Sequence, residues 1–214
     1  MFEYLGTIAP ARRLAWDCAT GNGQAAVELA NVFDRVIATD ASEGQIANAE
    51  PRERVEYRVA PAEKSGLETA KFDIVMVAQA LHWLNHNQFY PEVGRVLKED
   101  GVFAASAYNH LRTDKLIKEI IKRYYYEIVG PYWPPERALI EKFSEIPFPF
   151  PERKTLEFEI AAEWNLEHLM VICGHGRPRN VSLRQQIGTR SMKSQAILKR
   201  PGAIGKKSDV SSGR

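Results

Sequence analysis

The residues best suited to chemistry lie in one short stretch, Asp17-Cys18-Ala19-Thr20-Gly21-Asn22-Gly23. Small residues let a chain turn sharply and approach a ligand closely, and the helix pattern that follows offers unpaired N–H groups at its start. Asp17 is the informative member. A carboxylate at that point repels a pyrophosphate and attracts the α-ammonium of an amino acid. A plain strand-to-helix turn uses glycine in the same way, so the stretch gains its meaning from its companions. Asp40 stands nineteen positions after Gly21, where a carboxylate can accept hydrogen bonds from ribose hydroxyls, or can cap a helix beginning near Ser42. Ala62-Glu63 offers a main-chain N–H and a carboxylate to the edge of a base, although an exposed glutamate needs no such role. Gln79-Ala80-Leu81-His82-Trp83 adds an amide, an imidazole with proton-transfer capacity and an aromatic face. Tyr132 and Trp133 add two more aromatic faces, able to wall a pocket or simply to pack.

These residues need elements to carry them, and hydrophobic periodicity supplies those elements. Arg13–Trp16 runs into the glycine turn as a strand, and Gln24–Ala30 follows as a helix. Arg35–Thr39 is a β-branched run ending at Asp40, and Gln45–Glu50 reads as a helix stopped by Pro51. Val55–Val59 alternates as a strand, and Phe72–Ala78 is the near-continuous apolar run of a strand buried on both faces. Phe89–Leu97 has a helical stripe and Val102–Ala107 makes a fifth strand. Strands alternating with helices predict an α/β fold with a doubly wound, mostly parallel sheet. Ligands on such sheets sit beyond the carboxyl ends of the strands. Asp17, Asp40, Glu63 and Gln79 all fall there, on one predicted rim.

Beyond the fifth strand the pattern changes. Residues 111–155 read as a helical, aromatic insertion, with helices over Leu111–Tyr126 and Pro135–Phe143 and a rigid break at Gly130–Pro135. Leu156–Ala161 alternates as an added strand, and Asn165–Cys173 reads as a short helix. Residues 174–214 carry ten basic groups and one acid, which leaves residues 1–173 with nineteen basic and twenty-six acidic groups, a net of −7. With no periodicity, that tail is expected to be disordered. It lacks interleaved aromatics and an apolar helical face, so neither nucleic acid nor a membrane is the expected partner. The 214 residues otherwise suit one domain, 1–173. Two cysteines, Cys18 and Cys173, give neither a disulfide framework nor a metal cluster, and no metal is expected. The absence of a basic-then-apolar start or a membrane-length apolar window leads to the expectation of a cytoplasmic protein.

Asp17-x-Ala19-x-Gly21-x-Gly23, Asp40, Ala62-Glu63, Gln79-Ala80-Leu81-His82-Trp83 and Gly130–Pro135 recur in an order that resembles the class I S-adenosylmethionine (SAM)-dependent methyltransferases. The resemblance is to the methyltransferase type 11 group, in the branch of trans-aconitate methyltransferase-like proteins, and spans about Leu14 to Cys173. It implies a Rossmann-like fold, SAM as cofactor, and methyl transfer to a small-molecule acceptor, a carboxylate or a hydroxyl. By that resemblance Asp17, Ala19, Gly21 and Gly23 surround the methionine part and Asp40 and Ala41 the ribose. Gln45, Ala62 and Glu63 surround the adenine, Gln79 and Trp83 face the sulfonium side, and Trp83, Tyr132 and Trp133 would meet the acceptor. His82 is the candidate base for a hydroxyl acceptor. Against the family pattern, the chain is expected to lack an N-terminal lid segment and the final antiparallel strand hairpin. That expectation keeps a non-catalytic, incomplete binding protein as an alternative reading. A nicotinamide-dependent oxidoreductase is the third, since Gly21-x-Gly23-x-x-Ala26 fits its fingerprint formally. Ala19, standing where the family has glycine, costs little at negative φ and more at positive φ.

Overall fold

The computed structural model describes residues 1–111, 115–128, 130–132, 135–150, 154–164 and 187–199. Ahead of the sheet, α1 (Phe2–Ile8) is a helix that the sequence pattern did not mark; its Leu5 is fully buried. The parallel strands are β1 (Leu14–Cys18), β2 (Arg35–Asp40), β3 (Val55–Val59), β4 (Phe72–Ala78) and β5 (Leu97–Leu111). Between them lie α2 (Gln24–Ala30), α3 (Glu43–Ala47) and α4 (His86–Val96). After β5 come α5 (Lys115–Lys122), continued by wider helical turns over Arg123–Ile128, and the one-turn α6 (Ala138–Glu141).

Two further strands follow, β6 (Lys154–Trp164) and β7 (Ile187–Lys199), and the sheet order is β3-β2-β1-β4-β5-β7-β6. The expectation that the closing hairpin is missing is therefore corrected. β7 runs antiparallel between β5 and β6, pairing Phe103 with Lys199 on one side and Lys154 with Leu198 on the other. It also falls inside 174–214, whose composition predicts disorder. Ile187–Lys199 is rich in small and polar residues, so its strand character comes from pairing on both edges more than from local preference. The rest of that tail and the predicted helix Asn165–Cys173 lie outside the described residues.

Alternation along the strands places a core on each face of the sheet. On one face Trp16, Val75, Val77, Phe89 and Phe103 pack together, with Phe89 edge-on to Phe103 at 5.8 Å. On the other, Ala15, Ile74, Met76 and Val102 meet Leu29 and Phe33 beside α2, together with Leu5 of α1. Trp16 donates its indole N–H to Thr39 Oγ1 at 2.9 Å, which fixes β1 against β2 inside the core. At the amino ends of the strands, buried Asp73 accepts the N–H groups of Arg13 and Leu14, both at 2.9 Å, and pairs with Lys98. That rim is satisfied, and the open chemistry lies at the opposite one.

Candidate functional site at the carboxyl ends of the strands

Asp17 lies inside β1, one residue before its end, on the face that packs against α2. It is fully buried. Its carboxylate accepts the hydroxyl of Thr20, and the backbone N–H of Ala26 in the first turn of α2 is near enough to lower its pKa. Oxygen Oδ1 has no hydrogen-bond partner. Burial pushes the Asp17 carboxyl up to about 7 from its ordinary 3.8; the two donors pull it down and the nearby Asp40 charge pushes it further up. A buried carboxylate with an unmatched oxygen costs free energy until a donor arrives.

The chain then turns through a run of left-handed residues: Ala19 at φ 55°, Gly21 at φ 60° and Gly23 at φ 91°. Glycine takes such angles freely, whereas alanine pays for its Cβ. Ala19 is thus on the costly side of the alternatives the sequence left open. Gly23 has a second constraint, because the Tyr57 ring and hydroxyl occupy the space a Cβ would need there. Tyr57 is a site neighbour that the motifs missed. The only signal for it in the sequence is its place on the Val55–Val59 alternation. Burial and the Asp17 charge raise its phenol pKa.

Asp40 ends β2, and the capping role that the sequence offered it as an alternative is taken by Ser42 itself. Asp40 Oδ1 accepts the Ser42 N–H at 2.8 Å, at the start of α3, and its Oδ2 accepts the Gly21 N–H at 2.9 Å. Ser42 in turn caps α3 by accepting the Gln45 N–H at 3.3 Å. The Gln45 side-chain oxygen lies 3.9 Å from the position of a Cβ on Gly21, so Gln45 reaches over the glycine turn. Ala41 is exposed between them. Asp17, Ala19, Gly21, Gly23, Asp40, Ala41 and Gln45 thus form one connected rim.

Ala62 and Glu63 sit in a single tight turn, 62–64, just past β3; Ala62 is buried. Glu63 Oε1 accepts the Asn85 N–H at 2.9 Å, a bond that ties this turn to the start of α4. A second tie lies two residues on. Glu92 of α4 accepts both the N–H, at 2.9 Å, and the hydroxyl of Ser65, and it pairs with Arg95. Arg95 and these Ser65 donors hold the Glu92 carboxyl down to about 2 despite its burial.

Gln79, one residue past β4, has φ 56°. Its amide N–H donates to the Tyr108 carbonyl at 2.8 Å, which fixes the orientation of the amide and leaves Oε1 buried without a partner. The rim therefore presents two unmatched acceptor oxygens, on Asp17 and Gln79, at the ends of neighbouring strands. His82 is 3% exposed and its ring lies 4.5 Å from that of Trp83, which is 47% exposed. The turn Leu81–Trp83 packs against Pro135–Arg137 of the insertion. Tyr132 is 87% exposed and so stands at the surface, whereas Trp133 lies outside the described residues.

Comparison with known proteins gives this geometry a context. The family model described as a methyltransferase domain matches residues 16–105, the segment that carries the whole rim. A solved structure from Anaeromyxobacter dehalogenans, described as a type II methyltransferase, is similar at 32% identity and a TM-score of 0.78, over 94% of this chain and 95% of that one. A Dictyostelium discoideum protein named as a methyltransferase is 42% identical over 133 residues, which is 61% of this chain and 51% of that protein. A Saccharomyces cerevisiae protein named as an S-adenosylmethionine-dependent methyltransferase is 29% identical over 101 residues, 44% of this chain and 35% of that protein. The chain spans about half the length of the first of these two, and about a third of the second.

Proposed function

The chain belongs to the methyltransferase domain family, and from that premise we propose that it transfers the methyl group of SAM to a small-molecule acceptor, a carboxylate or a hydroxyl. The observation that carries this reading is the unmatched Oδ1 of buried Asp17 at the end of β1. A charged amino group is the ligand that satisfies it. A pyrophosphate would add negative charge beside a carboxylate already lifted to about 7 by burial, which argues against a dinucleotide.

The remaining residues fit the rest of such a cofactor. Gly21 and Gly23 keep the turn free of side chains where a ligand backbone must pass. Asp40 keeps spare lone pairs on both oxygens for ribose hydroxyls, because each oxygen is engaged by one N–H. Ala62 and Glu63 offer a buried backbone edge and a carboxylate on the base side, and Gln79 Oε1 offers a second acceptor. SAM, when bound, supplies a methyl group on a sulfonium, already activated toward displacement. The protein's work is then to hold the acceptor in line and to exclude water. A carboxylate acceptor is already ionised and needs no base. For a hydroxyl acceptor His82 is the nearest candidate by sequence, and its burial against Trp83 requires that the acceptor reach it past that ring.

The test is stability in the presence of S-adenosylhomocysteine, the demethylated product. Millimolar product should raise the melting temperature, and NADH should not. Absence of a product shift, or an equal shift with NADH, would contradict the reading.

A further inference from the structure

The insertion between β5 and β6 carries an exposed apolar surface on α5. In α5, Lys115-Leu116-Ile117-Lys118-Glu119-Ile120-Ile121-Lys122, the four apolar residues fall within one arc of about 140° at helical spacing. The three lysines and Glu119 fill the rest. Leu116 is 72% exposed and Ile120 60%, although such residues belong in cores. Further along the insertion Ile128, at 53% exposure, and Tyr132 are exposed as well. Large exposed apolar strips of this kind mark a contact surface.

We propose that residues 115–128 lie on an anionic membrane surface, with Leu116, Ile120 and Ile128 at the acyl boundary and Lys115, Lys118 and Lys122 at the lipid phosphates. Charge selects this occupant. Apolar side chains edged by lysines match a bilayer that offers hydrocarbon and phosphate side by side. Tyr132 has the ring and hydroxyl that suit the interface between them. The rest of residues 1–173 is acidic and is repelled by such a surface, so the insertion is the part that faces it. The ten basic groups of residues 174–214 add attraction at longer range, and α5 supplies the apolar face. Among the described residues no helix is long and apolar enough to cross a bilayer, so the contact is peripheral. This proposal does not depend on the cofactor site.

The experiment is co-sedimentation of the full chain with vesicles of phosphatidylcholine alone or mixed equally with phosphatidylserine. The expected result is binding to the mixed vesicles, weakened about tenfold or more by raising salt across a few-fold range. Leu116→Glu with Ile120→Glu should reduce that binding at least about tenfold while leaving the circular dichroism and melting temperature unchanged, since both side chains are exposed. Lys118→Glu with Lys122→Glu supplies a second variant should the first not fold, with the same expected loss. Three results would overturn the proposal: no binding of the wild-type chain to either vesicle, binding of both variants equal to wild type, or a stripe that serves self-association. The last would show as a dimer made monomeric by the first variant without any vesicle binding.

Discussion

The Gly21 N–H donates to Asp40 Oδ2 at 2.9 Å, so the glycine turn after β1 and the acid that ends β2 are one mechanical unit. Thr20 strengthens it by donating its N–H to the Thr39 carbonyl at 2.9 Å. A ligand that engages the turn is therefore positioned against Asp40 without further rearrangement, and a change at either residue is felt by the other.

Asp40→Ala should act on both stability and binding. It leaves the Gly21 and Ser42 N–H groups without their carboxylate, at a cost of about 1–2 kcal/mol in a partly exposed site. Urea unfolding should show that loss, and the melting-temperature shift with S-adenosylhomocysteine should vanish. A variant that is destabilised yet keeps the full shift would separate Asp40 from the cofactor.

Ala19→Gly should stabilise the protein. Alanine at φ 55° carries a penalty of roughly 1–2 kcal/mol that glycine avoids, partly offset by the greater freedom of glycine in the unfolded chain. The expected net gain is about 1 kcal/mol, read from the midpoint of urea unfolding at unchanged slope. A loss of stability would mean that the left-handed turn is not the resting conformation.

Asp17 should make the ligand-free protein less stable as pH rises. Its carboxyl titrates at 3.8 ordinarily and at about 7 in the fold, so the fold binds the proton more tightly than the unfolded chain does. The contribution is fully present below about pH 4 and is lost as pH climbs through about 7, on the order of 1.4 kcal/mol per unit across that window. Unfolding free energies measured from pH 4 to 8 should fall accordingly, and Asp17→Asn should flatten the slope. The same slope in the variant would assign it to other groups.

Much of this arrangement was legible in the sequence, for identifiable reasons. Val55–Val59 and Phe72–Ala78 match their observed bounds, because a half-covered edge strand alternates and a central strand covered on both faces runs apolar. The strand-end positions of Asp17 and Asp40 were readable because a short apolar or β-branched run leads into each. β7 was not, since Ile187–Lys199 owes its conformation to two neighbouring strands and little to its own composition. α1 was missed because seven residues give too short a window for helical periodicity. The Glu63 bond to Asn85 and the Glu92 bonds to Ser65 join residues more than twenty positions apart, which no local pattern reports. Strain at Gln79 was equally hidden, because a positive φ at glutamine has no signature in its neighbours.

The most direct measurement is a pair of calorimetric titrations at neutral pH, with S-adenosylhomocysteine and with methylthioadenosine, which lacks the amino-acid end. If the unmatched Asp17 oxygen holds the ligand ammonium, the wild-type chain should bind the former about a hundredfold more tightly, a difference of about 3 kcal/mol. Asp17→Asn should remove most of that difference while leaving methylthioadenosine binding nearly unchanged. An Asp17→Asn chain that still prefers S-adenosylhomocysteine by the full wild-type margin would contradict the pairing of Asp17 with the ligand ammonium.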